Sequence, residues 1–246
     1  TTTTNWTPTR TTPAANDILV FNNGATTTVT SVPTQIIGQL LVSGNTTVNL
    51  QGGAAGTVVS IGGGTGTDLS VAAGSALNIN VATNTTTISV LTGATGNIVG
   101  NMTFTNAAHR LLAADASGIT FSSPAVFTAG TLFSGNAFGT TSLLSVVFDN
   151  GSTYVHFAGG NPFGATQPSS VVLFSSGSLY KITGSGVAPS FSGRSYSNIE
   201  FAGSGISNPT GSSAVFMDNL TVTSGTVNIG MTSNPGHTIN GSISVA

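Results

Sequence analysis

A short sequence unit recurs along this chain: an apolar residue, any residue, a second apolar residue, two further residues and a glycine. Clear copies are Leu69-x-Val71-x-x-Gly74, Ile88-x-Val90-x-x-Gly93, Val172-x-Phe174-x-x-Gly177 and Leu220-x-Val222-x-x-Gly225. Looser copies start at Leu40, Met102, Ile119, Leu144 and Ile199. Alternation of apolar and polar residues favours a strand with one buried face, and the glycine favours a tight turn after it.

The spacing of these copies constrains the fold further. The copies start at positions 40, 69, 88, 102, 119, 144, 172, 199 and 220. A supersecondary unit that recurs about every 20 to 30 residues is typical of a solenoid. We therefore predict an all-β parallel β-helix, or β-solenoid, with short Gly/Asn corners, in which each strand pairs with its copies in the neighbouring coils. A β-sandwich with evenly spaced strands is the alternative fold.

Alternating strand-like runs extend over most of the chain. They occupy residues 18–20, 28–30, 48–50, 77–81, 88–90, 102–104, 220–222 and 227–229. Residues 106–114 instead predict one short helical turn. The Thr/Pro-rich residues 1–17 predict an extended N-terminal cap segment, and residues 18–246 predict a single β-solenoid domain. A start at Thr1 and an end inside a strand-like run indicate a segment of a longer protein.

Charge is scarce, which excludes several classes of function. The 246 residues contain 4 Lys+Arg and 6 Asp+Glu, with one lysine (Lys181) and one glutamate (Glu200). Four scattered cations cannot form the basic footprint that nucleic acid requires, and a net charge of -2 offers nothing to anionic membranes. No apolar run reaches the roughly 18 residues of a membrane helix. We predict no nucleic-acid partner and no membrane insertion.

The few acidic residues bear on catalysis. Polysaccharide hydrolases and lyases need converging carboxylates, or carboxylates with a basic residue. The acids are widely spaced along the chain, so only residues one coil apart would meet, such as Glu200 with Asp218, or Asp149 with Lys181. The simpler interpretation is that each aspartate caps a turn, and that Lys181 is solvated and unrelated to Glu200.

The sequence also offers no strong candidate for a metal site. Residues 63–71 partly match a calcium-binding Gly/Asp repeat around Asp68, but Ser70 stands where an apolar residue belongs, and one copy cannot complete a calcium cage. His109, His156 and His237 lack metal-ligand spacing. No cysteine is present to supply a thiolate. We predict no catalytic, cofactor-binding or metal-binding residue, no cofactor, and no enzymatic activity.

Aromatic residues divide into two groups. Phenylalanines at alternating strand positions are predicted to fill the core: Phe104, Phe121, Phe174 and Phe201. The residues best suited to stack on sugars are the tyrosines and the single tryptophan: Trp6, Tyr154, Tyr180 and Tyr196.

Several phrases resemble large secreted repeat proteins of the Bacteroidota. Asn5-Trp6 followed by residues 13–20 (PAANDILV) is similar to their opening, and residues 37–44, 138–144 and 191–199 are similar to their repeat unit. The resemblance implies a β-solenoid exported by the type IX secretion system, placed at the cell surface or released, and adhesin-like. It implies no catalytic residues. The C-terminal sorting domain that marks such proteins is not recognisable in this sequence.

These observations favour an extracellular, non-catalytic structural or adhesive solenoid at the cell surface. Its expected partners are other copies of itself, assembled into fibres or a lattice, other surface proteins, or glycans. A glycan-binding module on a β-helix scaffold is the main alternative. Ice binding, suggested by the Thr-x-Thr elements at residues 28–30 and 221–223, and polysaccharide degradation are weaker alternatives.

Overall fold

The coils of this protein form a continuous stack of parallel strands. A computed structural model describes residues 12, 14–81, 83–184, 190–231 and 236–246. In these ranges the chain is all-β, without a helix, and its strands stack as a β-solenoid of about nine turns. The strand pairs are parallel, as in Leu40 with Leu69 and Leu69 with Gly96. The predicted fold class is confirmed, and the sandwich alternative is wrong.

Three main sheets form the walls of the solenoid. The first contains β1 (Ile18–Phe21), β4 (Gln39–Val42), β7 (Leu69–Val71), β10 (Gly96–Ile98), β13 (Ile119–Phe121), β15 (Val146–Phe148) and β17 (Val172–Phe174). The second contains β2 (Thr26–Val32), β5 (Thr47–Gly52), β8 (Ala76–Ile79), β11 (Asn101–Phe104), β14 (Val126–Ala129), β16 (Thr153–His156), β18 (Leu179–Ile182), β19 (Asn198–Phe201), β22 (Asn219–Val222) and β25 (Ile243–Val245). The third contains β3 (Gln35–Ile37), β6 (Thr57–Ile61), β9 (Thr86–Val90) and β12 (Arg110–Ala113).

Two short pairs complete the C-terminal coils. They join β20 (Ile206–Ser207) to β23 (Thr226–Val227), and β21 (Phe216–Met217) to β24 (Thr238–Ile239). The strand expected at residues 227–229 is therefore shorter and begins one residue earlier. Of the expected N-terminal cap segment, residues 1–11 and 13 lie outside the described residues.

Glycine corners follow the recurring unit as predicted. The glycine of each clear copy has a positive φ, from 76° at Gly74 to 84° at Gly177, a conformation that costs side-chain-bearing residues energy. However, the copies at Leu69, Ile88 and Leu220 lie in the first, third and second sheets respectively. The unit therefore marks a strand followed by a turn, and it does not mark one complete coil.

Aromatic rings stack along the axis of the core. In the first sheet Phe121 and Phe148 stack at 4.5 Å between ring centroids, and Phe148 and Phe174 at 5.2 Å. They do so because parallel in-register pairing places identical positions of successive coils above one another. The four phenylalanines predicted to fill the core are all buried.

The predicted helical turn at residues 106–114 is wrong. Asn106 has a positive φ of 73°, which interrupts any helix, and β12 pairs in parallel with β9. Leu111 and Ala113 point into the core. A neighbouring strand edge thus overrode the local helical preference of the alanines and leucines, because pairing satisfies the backbone and buries an apolar face at once.

The third sheet ends at β12, and longer loops close the later coils. Phe133, Phe138 and Phe163 from these loops enter the core. The first sheet ends at β17. In the next coil, Ser195 does not extend this sheet and instead forms a parallel bridge with Phe216 of the coil that follows. The described residues contain no helix that is long and apolar enough to cross a bilayer.

Candidate functional site

The second sheet has ten strands, more than any other sheet of the described chain, and its outer side is a regular surface. Its central row runs along the solenoid through one residue of each coil: Thr28, Asn49, Asn78, Thr103, Thr128, Val155, Lys181, Glu200, Thr221 and Ser244. A second row, two residues earlier in each strand, contains Thr26, Thr47, Ala76, Asn101, Val126, Thr153, Leu179, Asn198 and Asn219. We call these two rows the polar face.

Regular spacing gives the polar face its geometry. Neighbouring strands lie about 4.8 Å apart, so ten strands extend over about 43 Å. The rows consist mainly of hydroxyl, amide and methyl groups, and no ionisable side chain occurs in them from β2 to β16. Such a surface offers many weak polar and van der Waals contacts and little charge.

Side-chain hydrogen bonds run parallel to the solenoid axis and hold these rows in place. Asn78 Nδ2 donates to Asn49 Oδ1 at 3.2 Å, and Asn219 Nδ2 donates to Asn198 Oδ1 at 2.7 Å. Each bond joins equivalent positions of adjacent coils, as in the amide ladders of stacked β-structures. Each bond fixes the orientation of the two amides that it joins.

Lys181 and Glu200 form an ion pair in the central row. The Nζ–Oε1 distance is 2.8 Å, and Thr223 Oγ1 also donates to Glu200 Oε1. The expectation that Lys181 is unrelated to Glu200 is therefore wrong. The two residues are direct neighbours because β18 and β19 pair in register through one of the shortest coils.

Asp68 is buried and fully engaged. Its Oδ1 accepts the Gly64 N–H at 2.6 Å and the Gln39 Nε2–H at 3.2 Å, and its Oδ2 accepts the Thr95 N–H at 2.8 Å. These N–H groups direct their positive partial charge at the Asp68 carboxylate, where calcium would have to bind. The surroundings therefore stabilise the carboxylate and disfavour a cation beside it. The Gly-rich residues before Asp68 form a corner that leads into β7.

Two further aspartates accept hydrogen bonds from the preceding coil, and not from a local turn as expected. Asp115 Oδ2 accepts the Gly93 N–H at 2.7 Å, and Asp218 Oδ2 accepts the Ser197 Oγ–H at 2.9 Å. Glu200 bonds Lys181 and Thr223, so the structure does not unite it with Asp218. Among the described residues no group of three or more histidine, aspartate or glutamate side chains is arranged to hold a metal.

The histidines are separate structural residues. His109 is buried and accepts the Thr86 N–H on Nδ1, and burial lowers its pKa. His156 is buried on β16, where Nδ1 bonds Tyr180 Oη and Nε2 bonds the Gly159 carbonyl; desolvation lowers its pKa as well. His237 Nδ1 accepts the Val215 N–H. Each therefore binds backbone in its own coil or in the preceding coil.

The tyrosines are core residues, which sequence reasoning missed. Tyr154, Tyr180 and Tyr196 are buried, and burial raises the pKa of each hydroxyl. They are not available as platforms for sugar stacking. Trp6 lies outside the described residues.

Thr-x-Thr elements do not form a continuous array. Thr28 and Thr221 both lie in the central row, but on β2 and β22, with asparagine, valine, lysine and glutamate between them. A repeated threonine plane of the kind that ice binding would require is therefore absent from the described part of the face.

Comparison with known proteins adds no assignment: no family model, curated protein or solved structure matches this chain. We therefore infer the function from the geometry of the polar face and of the separate polar groups.

Proposed function

We propose that this chain is an extracellular structural or adhesive solenoid at the cell surface, that it acts without catalysis, and that the polar face is its contact surface. One observation carries the proposal: a ten-stranded parallel sheet presents two rows of mostly uncharged side chains in unbroken register. A repetitive surface is suited to lying against another regular surface, and stacked repeats create extended binding surfaces.

The titratable side chains are held at separate places in the structure, which supports the proposal that the chain acts without catalysis. Asp68 and Asp115 accept hydrogen bonds from backbone N–H groups, Asp218 accepts one from a serine hydroxyl, and His109 and His156 are buried with backbone partners. Catalysis by acid–base chemistry needs at least two such groups converging on one reachable point. The surface location rests on the resemblance to secreted Bacteroidota repeat proteins.

Self-assembly of copies extends the proposal. The unpaired edge of a solenoid sheet can take up a strand of another copy, which would join copies into fibres or a lattice.

Electron microscopy and sedimentation of the chain over a range of concentrations test the assembly. Filaments or sheets that lengthen with concentration support it. Single short rods at every concentration would overturn self-assembly and leave adhesion by the polar face to the following test.

The face itself is tested by adsorption to hydroxylated silica and to insoluble cellulose. Thr128→Lys places a charge in the central row, whereas Thr120→Lys, in the same coil and equally half-buried, places it on the first sheet. We expect weaker adsorption for Thr128→Lys alone. Equal adsorption by both variants, or none by the unaltered chain on either material, would refute the proposed contact surface.

Glycan binding is the second candidate, since rows of hydroxyl and amide groups complement sugar hydroxyls. Adsorption to cellulose that soluble cello-oligosaccharides compete away, with no adsorption to silica, would favour it over general adhesion.

A further inference from the structure

The first sheet is interrupted after β17, and the interruption opens a pocket. Ser195 and its neighbours hydrogen-bond forward to Phe216, and among the described residues no backbone hydrogen bond joins them back to β17. Val172 N–H and C=O, on the free side of β17, are instead bonded by the Ser170 hydroxyl. The next coil thus starts displaced from the edge of β17.

The resulting pocket has a volume of about 400 Å³ and largely apolar walls. Leu143, Leu144 and Leu173 line it, and each is more than two-fifths exposed. Three exposed leucines around one opening are unusual, because large apolar side chains at a protein surface are usually scattered. The volume lies at the lower end of the range for small-molecule sites.

Arg194 forms part of the same wall and is 5% exposed. Its Nη1 donates to the Ser169 carbonyl, its Nη2 donates to the Ala165 carbonyl at 2.6 Å, and its guanidinium lies 4.8 Å from the centre of the Phe163 ring. Nothing local in residues 191–199 indicates that Arg194 lines a pocket, because the groups that surround its guanidinium come from the preceding coil.

The guanidinium charge has no anionic partner. In the described part of the chain no carboxylate forms an ion pair with Arg194, and its buried Nε has no hydrogen-bond partner. A guanidinium carries five N–H donors, and within the described ranges two of them donate, to the Ser169 and Ala165 carbonyls. Buried charges are normally paired, so an unpaired arginine beside an open pocket indicates a missing anion.

We infer that this pocket binds a small carboxylic acid with an apolar chain, its carboxylate on Arg194 and its chain along Leu143, Leu144 and Leu173. The arginine fork matches a carboxylate in shape and charge, and the leucine walls match a hydrocarbon. The same features disfavour a sugar acid, whose hydroxyls would meet apolar walls. This inference concerns a different surface from the polar face and does not depend on the proposed function.

Binding of octanoate to the whole chain at pH 7.5, measured by calorimetry and by ligand-observed NMR, tests the inference, with octan-1-ol as the uncharged counterpart. We expect saturable one-to-one binding of octanoate, and at least tenfold weaker binding of octan-1-ol. No saturable octanoate binding, or equal binding of the two compounds, would overturn the inference, because the arginine would then serve only to hold residues 165–169.

Leu173→Glu supplies a variant that avoids the buried core. It places a negative charge at the pocket mouth, and we expect at least tenfold weaker octanoate binding. Leu132→Glu changes another exposed leucine, one that does not line the pocket, and should leave binding unchanged. Unaltered binding by Leu173→Glu, or equal weakening by both variants, would place the ligand elsewhere and overturn the assignment.

Discussion

Two stacked tyrosines offer a test in which the same substitution has opposite effects. Tyr154 and Tyr180 are register partners on β16 and β18, both fully buried, with ring centroids 5.3 Å apart and nearly parallel. Tyr180 Oη bonds His156 Nδ1, whereas Tyr154 Oη is buried without a hydrogen-bond partner. Replacing either tyrosine by phenylalanine removes one oxygen and preserves the ring stack.

The expected magnitudes follow from the cost of an unpaired buried hydroxyl, about 1–3 kcal/mol. Tyr154→Phe removes that cost, so we expect the free energy of unfolding to rise by about 1–3 kcal/mol. Tyr180→Phe removes a hydrogen bond and leaves His156 Nδ1 without a donor, so we expect a decrease of about 1–3 kcal/mol. The two variants should therefore differ clearly although the chemical change is identical.

Urea unfolding followed by circular dichroism measures both variants beside the unaltered chain, and the thermal midpoint gives an independent readout. For a chain of this length, 1 kcal/mol corresponds to a shift of roughly 2–4 °C. A Tyr154→Phe variant less stable than the unaltered chain, or equal losses in both variants, would refute the reasoning.

Three further predictions concern charged and titratable groups. Asp68→Asn should lower the free energy of unfolding by about 1.5–3 kcal/mol through loss of a charged acceptor, while millimolar calcium should leave the unaltered chain's melting temperature unchanged; a rise with calcium would contradict this. Burial lowers the pKa of His109 and of His156, so both stay neutral in the folded chain at pH values where the unfolded chain binds protons. Stability should therefore fall as the pH decreases through and below the ordinary histidine pKa of 6.5, and urea midpoints that stay constant from pH 7.5 to 5 would argue against it. A double-mutant cycle on Lys181 and Glu200 should give a coupling of about 0.2–1 kcal/mol that salt weakens, since both are partly exposed; a coupling of several kcal/mol would disagree.

Much of the fold was predictable because stacking leaves a local record. Leu69, Val71 and Gly74 mark a strand and its corner, and the same pattern appears at Val172 and Leu220. The helical turn predicted at residues 106–114 was wrong because nothing local distinguishes such a turn from β12. Only the edge of β9, where Ile88 meets Leu111, decides for the strand.

Interactions between coils were less predictable, because coil length varies. Leu40 pairs with Leu69 through a long coil, whereas Lys181 pairs with Glu200 through a much shorter one. A constant period would have placed Lys181 beside a different residue. The sequence therefore predicted neither the ion pair between Lys181 and Glu200 nor the stacking of Tyr154 on Tyr180.

The sequence by itself determined that this chain is an all-β parallel solenoid with polar rows and few charges, because period-2 alternation and glycine corners are local properties. The tertiary structure alone decided which residues meet: the amide ladders of the polar face, the donors that surround Asp68, and the unpaired Arg194 beside an interrupted sheet. The physical reason is that strand register between coils depends on the length and course of every intervening loop. Local pattern determines which way a side chain points, and only the completed stack determines what it faces.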